Sequence, residues 1–88
     1  TIALQPDGKM LIGGRFDSYD GVPRKHIARV NPDGGLDTSF DPGAGANSEV
    51  LDIVLRPDGK ALVGGYFTTF NGVTMRGVVQ LNPDGSLD

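Results

Sequence analysis

The chain has 88 residues, with 8 Lys and Arg against 11 Asp and Glu, a formal net charge of −3, and no Cys. The acidic balance argues against a nucleic-acid surface, which needs a basic patch, and the lack of Cys removes disulfide frameworks and thiolate metal sites. No apolar run approaches the roughly 20 residues of a membrane span, and no basic stretch leads into an apolar one as in a secretory signal. Read from the N-terminus, a short apolar run at Ile2–Leu4 meets the turn Pro6-Asp7-Gly8, and a second run, Met10-Leu11-Ile12, follows it. Pro presets φ for the first turn position, and Gly supplies the left-handed residue of a G1 bulge, so x-Pro-Asp-Gly predicts a three-residue hairpin. The same triplet returns at Pro32-Asp33-Gly34, Pro57-Asp58-Gly59 and Pro83-Asp84-Gly85. Asp20-Gly21 and Asn71-Gly72 add a second kind of hairpin signal.

The first and third triplets are 51 residues apart, as are the second and fourth. Placing residue n against n + 51 gives 37 comparable pairs, of which 18 are identical. A repeat of this length reads as a solenoid, a propeller or an array. The central period predicts strand A at Val50–Leu55, strand B at Lys60–Tyr66, strand C at Met75–Leu81 and strand D from Leu87, with Leu36–Phe40 as the first copy of D. No window places apolar residues at i, i+3, i+4 and i+7, so no helix is predicted. Strands A and B are apolar on both faces, as in Val50-Leu51-Asp52-Ile53-Val54-Leu55 and Ala61-Leu62-Val63. Two-sided burial predicts sheets covered by neighbours. The expected fold class is therefore all-β: tandem four-stranded antiparallel meanders forming β-propeller blades. A plain β-sandwich of two meanders is the alternative. Residues 1–48 form the first repeat, with a partial strand A, and residues 49–88 the second, ending at the start of D. Two blades fall short of the roughly four to eight that close a ring. The chain is thus expected to belong to a longer one or to assemble from several copies.

The motifs Pro-Asp-Gly-Lys, Gly-Gly-x-Phe and Asn-Pro-Asp-Gly-x-Leu-Asp recur in order in both halves, and Thr38-Ser39-Phe40 follows the first set. Together they resemble the delta-60 repeat, the DUF5122-type β-propeller family of bacterial proteins. The resemblance covers essentially the whole chain. It departs where Pro23-Arg24 of the first copy becomes Thr74-Met75 of the second. It implies tandem blades in large secreted or surface-attached proteins, and so an extracellular or cell-surface location. It supplies no catalytic residues to carry over.

Each candidate site has a simpler structural reading. Asn31-Pro32-Asp33-Gly34-Gly35-Leu36-Asp37 resembles part of a calcium loop, but Arg29 and Phe40 stand where two main ligands belong. Gly13-Gly14 and Gly64-Gly65 lack the helix and the Lys-Ser/Thr of a phosphate loop. His26, the only His, has Gly77 as its repeat partner and no nucleophile set around it. No cofactor, metal or catalytic set is expected. The possible ligand surface is Arg15, Asp17, Tyr19 and Asp20 in the B–C connection, with Tyr66 in the second copy, because loops on a rigid scaffold concentrate binding residues. Phe16/Phe67 and Tyr19/Phe70 recur and are expected to pack. Three functions follow in order: a non-catalytic structural or interaction scaffold; a carbohydrate-binding propeller; an enzyme using Glu49 and Asp52 on the inner strand. Expected partners are neighbouring blades of the parent chain or other copies, with a protein or glycan ligand, and neither nucleic acid nor a membrane span.

Overall fold

A computed structural model describes residues 1–88 as two stacked antiparallel sheets without helices. No helix is long and apolar enough to cross a membrane. The first sheet pairs β1 (Ile2–Leu4), β2 (Met10–Gly13) and β5 (Ile27–Val30) in the order β1-β2-β5. The second pairs β6 (Val50–Leu55), β7 (Ala61–Gly65) and β10 (Val78–Leu81) in the order β6-β7-β10. Between B and C each copy inserts a two-residue hairpin: β3 (Ser18–Tyr19) with β4 (Val22–Pro23), and β8 (Thr69–Phe70) with β9 (Val73–Thr74).

The turns follow the predicted chemistry. The Gly of each Pro-Asp-Gly has φ between 87° and 90°, a region closed to most side chains. Each Asp caps its own turn, as where Asp7 Oδ1 accepts from Lys9 N–H at 3.0 Å and Asp58 Oδ1 from Lys60 N–H at 3.0 Å. Asp20 and Gly21 take φ of 50° and 80°, and Asn71 and Gly72 take 50° and 77°. Two consecutive positive φ values make a type I′ hairpin turn.

Three expectations are modified. Strand D of the first copy is not a ladder but a single bridge, Val30 with Leu36; Leu81 and Leu87 form the matching bridge in the second. In the first copy Asp37 Oδ1 accepts from Ser39 N–H at 3.0 Å, and this side-chain turn bends the chain away after one pair. Strand C is also shorter, starting at Val78, because the chain bends over Met75–Gly77, where Gly77 has φ of 80° and its N–H donates to Phe67 O and Met75 O at 3.0 Å. Burial is one-sided where two-sided burial was expected: Val50 and Ile53 are buried, while Leu51 and Val54 are 45% and 53% exposed. The open apolar surface lies at β1 and on the outer face of β6, whereas β5 is buried on both faces, with Ala28 and Val30 at 0% and 4% exposed.

That covered layer is the core. Register places Ala3, Leu11 and Arg29 side by side on one face of the first sheet. It places Ile53, Val63 and Val79, then Leu55, Ala61 and Leu81, on one face of the second. These two faces meet in one hydrophobic cluster with Phe40, Phe67 and Phe70. The sheets approach at β1, β2 and β6. There Gly13 lacks the Cβ that would stand 2.5 Å from Val50 Cγ1. Each fully buried Leu, Ile or Phe contributes about 2 kcal/mol by area. The antiparallel order sends all four Pro-Asp-Gly turns to one edge of the stack. The B–C connections and the D–A linker leave from the opposite edge.

Candidate functional site

At that opposite edge a cleft of about 480 Å³ opens between the two blades. Three parts of the chain build it. The first B–C connection supplies Asp17, Lys25 and His26; the linker supplies Ala44–Asn47; the second B–C connection supplies Thr69 and Gly72. The linker is the floor, and hydrogen bonds fix it on both sides. Ala46 N–H donates to Lys25 O at 3.3 Å, while Gly45 O accepts from Asn71 N–H at 2.8 Å. Asn71 Oδ1 accepts from Ala44 N–H at 2.9 Å. Asn47 Oδ1 accepts from Thr68 N–H at 2.8 Å and its Nδ2 donates to Thr68 Oγ1 at 2.9 Å. Gly45 passes so close to Lys25 that a Cβ there would stand 2.7 Å from the Lys25 carbonyl oxygen.

His26 occupies an unusual backbone state. Its φ is 68°, where its repeat partner Gly77 has 80°. A left-handed His is uncommon and costs about 1 kcal/mol. Its Nδ1 lies 3.1 Å from the Gly14 carbonyl oxygen. A carbonyl can only accept, so Nδ1 is the donor in this contact and Nε2 is the ring nitrogen left for another partner. The cleft thus combines a carboxylate, an ammonium, an imidazole and a threonine hydroxyl around a polar backbone floor.

The five expected ligand residues fall into three places. Asp17 lines the cleft. Arg15 and Tyr66 stand beside Glu49: Arg15 donates to Glu49 Oε1 at 3.4 Å, and Tyr66 N–H to Glu49 O at 2.9 Å. Tyr19 points along the first blade and donates from its hydroxyl to Gly34 O at 2.6 Å. Asp20 sits at the exposed tip of its type I′ turn. The aromatic pairs do pack, unequally. Phe67 and Phe70 are 1% and 0% exposed with rings edge to face at 6.1 Å, whereas Phe16 and Tyr19 are half-buried.

Sequence reasoning missed Lys25, Asn47 and Thr69 as cleft residues. Thr38–Leu51 occurs once, so no repeat comparison reached Asn47. It also missed a polar node on the turn side. Asp37 Oδ2 accepts from Lys9 Nζ at 2.9 Å and from Arg29 Nε at 2.8 Å. Arg29 also donates to Ser39 Oγ at 3.1 Å and, across the blade interface, to Pro83 O at 2.7 Å. Its guanidinium lies 5.1 Å from the Phe40 ring centroid. Burial pushes the Asp37 carboxyl up, but hydrogen bonds from Ser39, Lys9 and Arg29 outweigh it and hold the group well below the usual carboxylate range. In the stretch compared with a calcium loop, Asp37 is bonded to two cations and Asp33 Oδ1 accepts from Gly35 N–H at 2.9 Å.

Against known families, residues 5–40 and 56–88 each match the model described as domain of unknown function (DUF5122) beta-propeller. No curated protein and no solved structure matches the chain.

Proposed function

Because the chain belongs to the DUF5122 beta-propeller family, we propose that it serves as a non-catalytic interaction module of a secreted or surface-exposed bacterial protein. One observation carries this reading: a constant frame holds a variable rim. Lys9/Lys60, Asp37/Asp88 and the Pro-Asp-Gly turns are identical between the copies. At the opposite edge Arg15/Tyr66, Asp17/Thr68 and His26/Gly77 differ in charge and size. Rigid blades fix where these side chains stand, so a partner meets them with little ordering cost. The test is binding to a panel of purified extracellular and surface proteins, with wild type compared to a variant carrying Arg15→Ala, Asp17→Ala and Tyr66→Ala. The rim reading requires at least about a tenfold loss of affinity. A partner that binds both forms equally rejects it.

The cleft favours a second reading, a carbohydrate site. Its volume falls within the roughly 300–1,000 Å³ of small-molecule pockets. Asp17, Lys25, His26 and Thr69 offer both donors and acceptors to a hydroxyl-rich ligand. Calorimetric titration with defined oligosaccharides decides it: binding that is lost in Asp17→Ala and Lys25→Ala supports a glycan site, and no heat at millimolar sugar ends the idea.

A further inference from the structure

We propose that a second copy of this chain docks head to tail, placing the open face of its first blade on the open face of our second blade. The proposal rests on the reading of the chain as stacking blades. The template is the interface already built inside the molecule. There the face of the first sheet carrying Ala3, Leu11, Ile27 and Arg29 covers the face of the second carrying Ile53, Leu55, Ala61 and Val63.

Moving 51 residues along the chain maps each covered face onto an open one. Ala3, Leu11, Ile27 and Arg29 become Val54, Leu62, Val78 and Gln80, and register places these on the uncovered face of the second sheet. Ile53, Leu55, Ala61 and Val63 become Ile2, Leu4, Met10 and Ile12, on the outer face of the first sheet, which is open at β1, half-buried at Met10 and Ile12 and covered at Ala28 and Val30 of β5. Both open faces are apolar. Ile2 and Leu4 are 68% and 69% exposed, and Val54 and Val78 are 53% and 58% exposed. Each open face therefore repeats one half of the internal pair, so two copies can continue the stack. Because the two faces differ, the contact is heterologous. It generates a ring if its rotation closes and a filament if it does not.

One element of the template is missing between molecules. Arg29 links the blades by donating to Pro83 O at 2.7 Å. Its counterpart Gln80 donates instead to Asp88 Oδ2 at 2.5 Å, within its own blade. No linker tethers the second copy either. The junction is thus weaker than the internal interface, and assembly depends on concentration.

Sedimentation velocity over a micromolar-to-millimolar series tests this with four proteins. Wild type is expected to assemble with concentration, and Gln80→Arg to do so at about tenfold lower concentration, since it restores the charged donor. Val54→Arg and Leu4→Arg each block one open face and are each expected to stay monomeric. Mixed together they retain one good face of each kind, so they form a heterodimer and nothing larger. Circular dichroism melting of each variant shows whether it folds. A wild type that stays monomeric throughout the series overturns the proposal. So do blocked variants that assemble as wild type does, or a mixture of two folded variants that stays monomeric. A folded wild-type monomer leaves the rim-binding reading untouched, because that is judged on Arg15, Asp17 and Tyr66.

Discussion

The two blades share a sequence frame but not a neighbourhood. In the first, Lys9, Arg29 and Asp37 form a node sealed by the second blade, and the Asp37 side chain is 8% exposed. In the second, Lys60, Gln80 and Asp88 repeat the arrangement at an open face, with the Asp88 side chain 33% exposed and Lys60 Nζ 3.1 Å away. The residues are nearly the same and the lysines are equally exposed, at 31% and 32%, yet one carboxylate is walled off from water and the other is open to it. A repeat specifies the unit; what the unit's polar groups are worth depends on the next unit.

The largest effect expected from this asymmetry is at a glycine. In Gly65→Ala the new Cβ would collide with the Glu49 carbonyl oxygen and stand 2.9 Å from Val50 Cα, both backbone atoms. In Gly14→Ala, the same position of the first blade, the nearest atom is Phe16 Cδ2 at 4.0 Å. Denaturant unfolding should show Gly65→Ala destabilised by about 3 kcal/mol, the cost of overpacking against groups that cannot move. Gly14→Ala should match wild type within scatter. Equal effects at both positions would mean that the strand A backbone is not what requires the glycine.

Next comes the node. Asp37→Asn leaves Arg29 against Phe40 with its charge uncompensated. A fully buried broken pair costs about 3–5 kcal/mol and an exposed one under about 1 kcal/mol. Lys9 is 31% exposed, so an intermediate loss of about 2 kcal/mol is expected. Asp88→Asn at the open face should leave the unfolding midpoint in place. A comparable loss at Asp88 would show that the second face is also covered in solution, and the comparison would need to be redrawn at the higher-order assembly.

Acid should report on the first blade's node. The folded Asp37 carboxyl is held below its ordinary value. In the unfolded chain it titrates near about 3.9. Below that pH the unfolded state binds a proton that the folded state refuses, so stability falls as pH falls. Stability conferred by Asp37 is complete above about pH 4 and lost progressively below it. The difference in unfolding free energy between wild type and Asp37→Asn should therefore shrink as pH drops below about 4. A constant difference down to low pH would remove the carboxylate from the account.

How much of this was legible depends on the reach of each residue's chemistry. The Pro-Asp-Gly and Asp-Gly or Asn-Gly turns could be read directly, because each is closed by atoms within a few residues. The stacking of blades followed from strand A and strand B being apolar on both sides. Strand D could not be judged, because the Asp37–Ser39 turn that ends it competes with the ladder locally. The node was hidden because Lys9, Arg29 and Pro83 are brought together only by the fold. One signal pointed to it: Lys9/Lys60 and Asp37/Asp88 are identical at the 51-residue offset, at positions where a solvated charge would be free to vary. The cleft was half legible. Asp17 was found in a variable loop, whereas the linker floor occurs once and has no internal copy to compare.

The smallest predicted effect concerns His26, where two contributions oppose each other. In His26→Gly the left-handed backbone at φ 68° becomes free of cost, but the Nδ1 contact to the Gly14 carbonyl at 3.1 Å is lost. Each amounts to about 1 kcal/mol, so His26→Gly should be close to neutral. His26→Ala loses the hydrogen bond and keeps the left-handed backbone, and should be destabilised by about 1 kcal/mol. At the equivalent position Gly77→Ala meets only Gly65 O at an ordinary 3.5 Å, so its loss of about 1 kcal/mol isolates the backbone cost alone. If His26→Ala and Gly77→Ala lose the same amount while His26→Gly is neutral, the one side-chain hydrogen bond of His26 offsets its backbone cost, beside the backbone bonds to Phe16 and Gly14 that every variant keeps. A His26→Gly variant that is clearly more stable than wild type would make that bond worth little. The strained imidazole would then be a cost to the fold, offset only by what Nε2 does in the cleft, and His26 would join Asp17 and Lys25 as a first target for ligand-binding measurements.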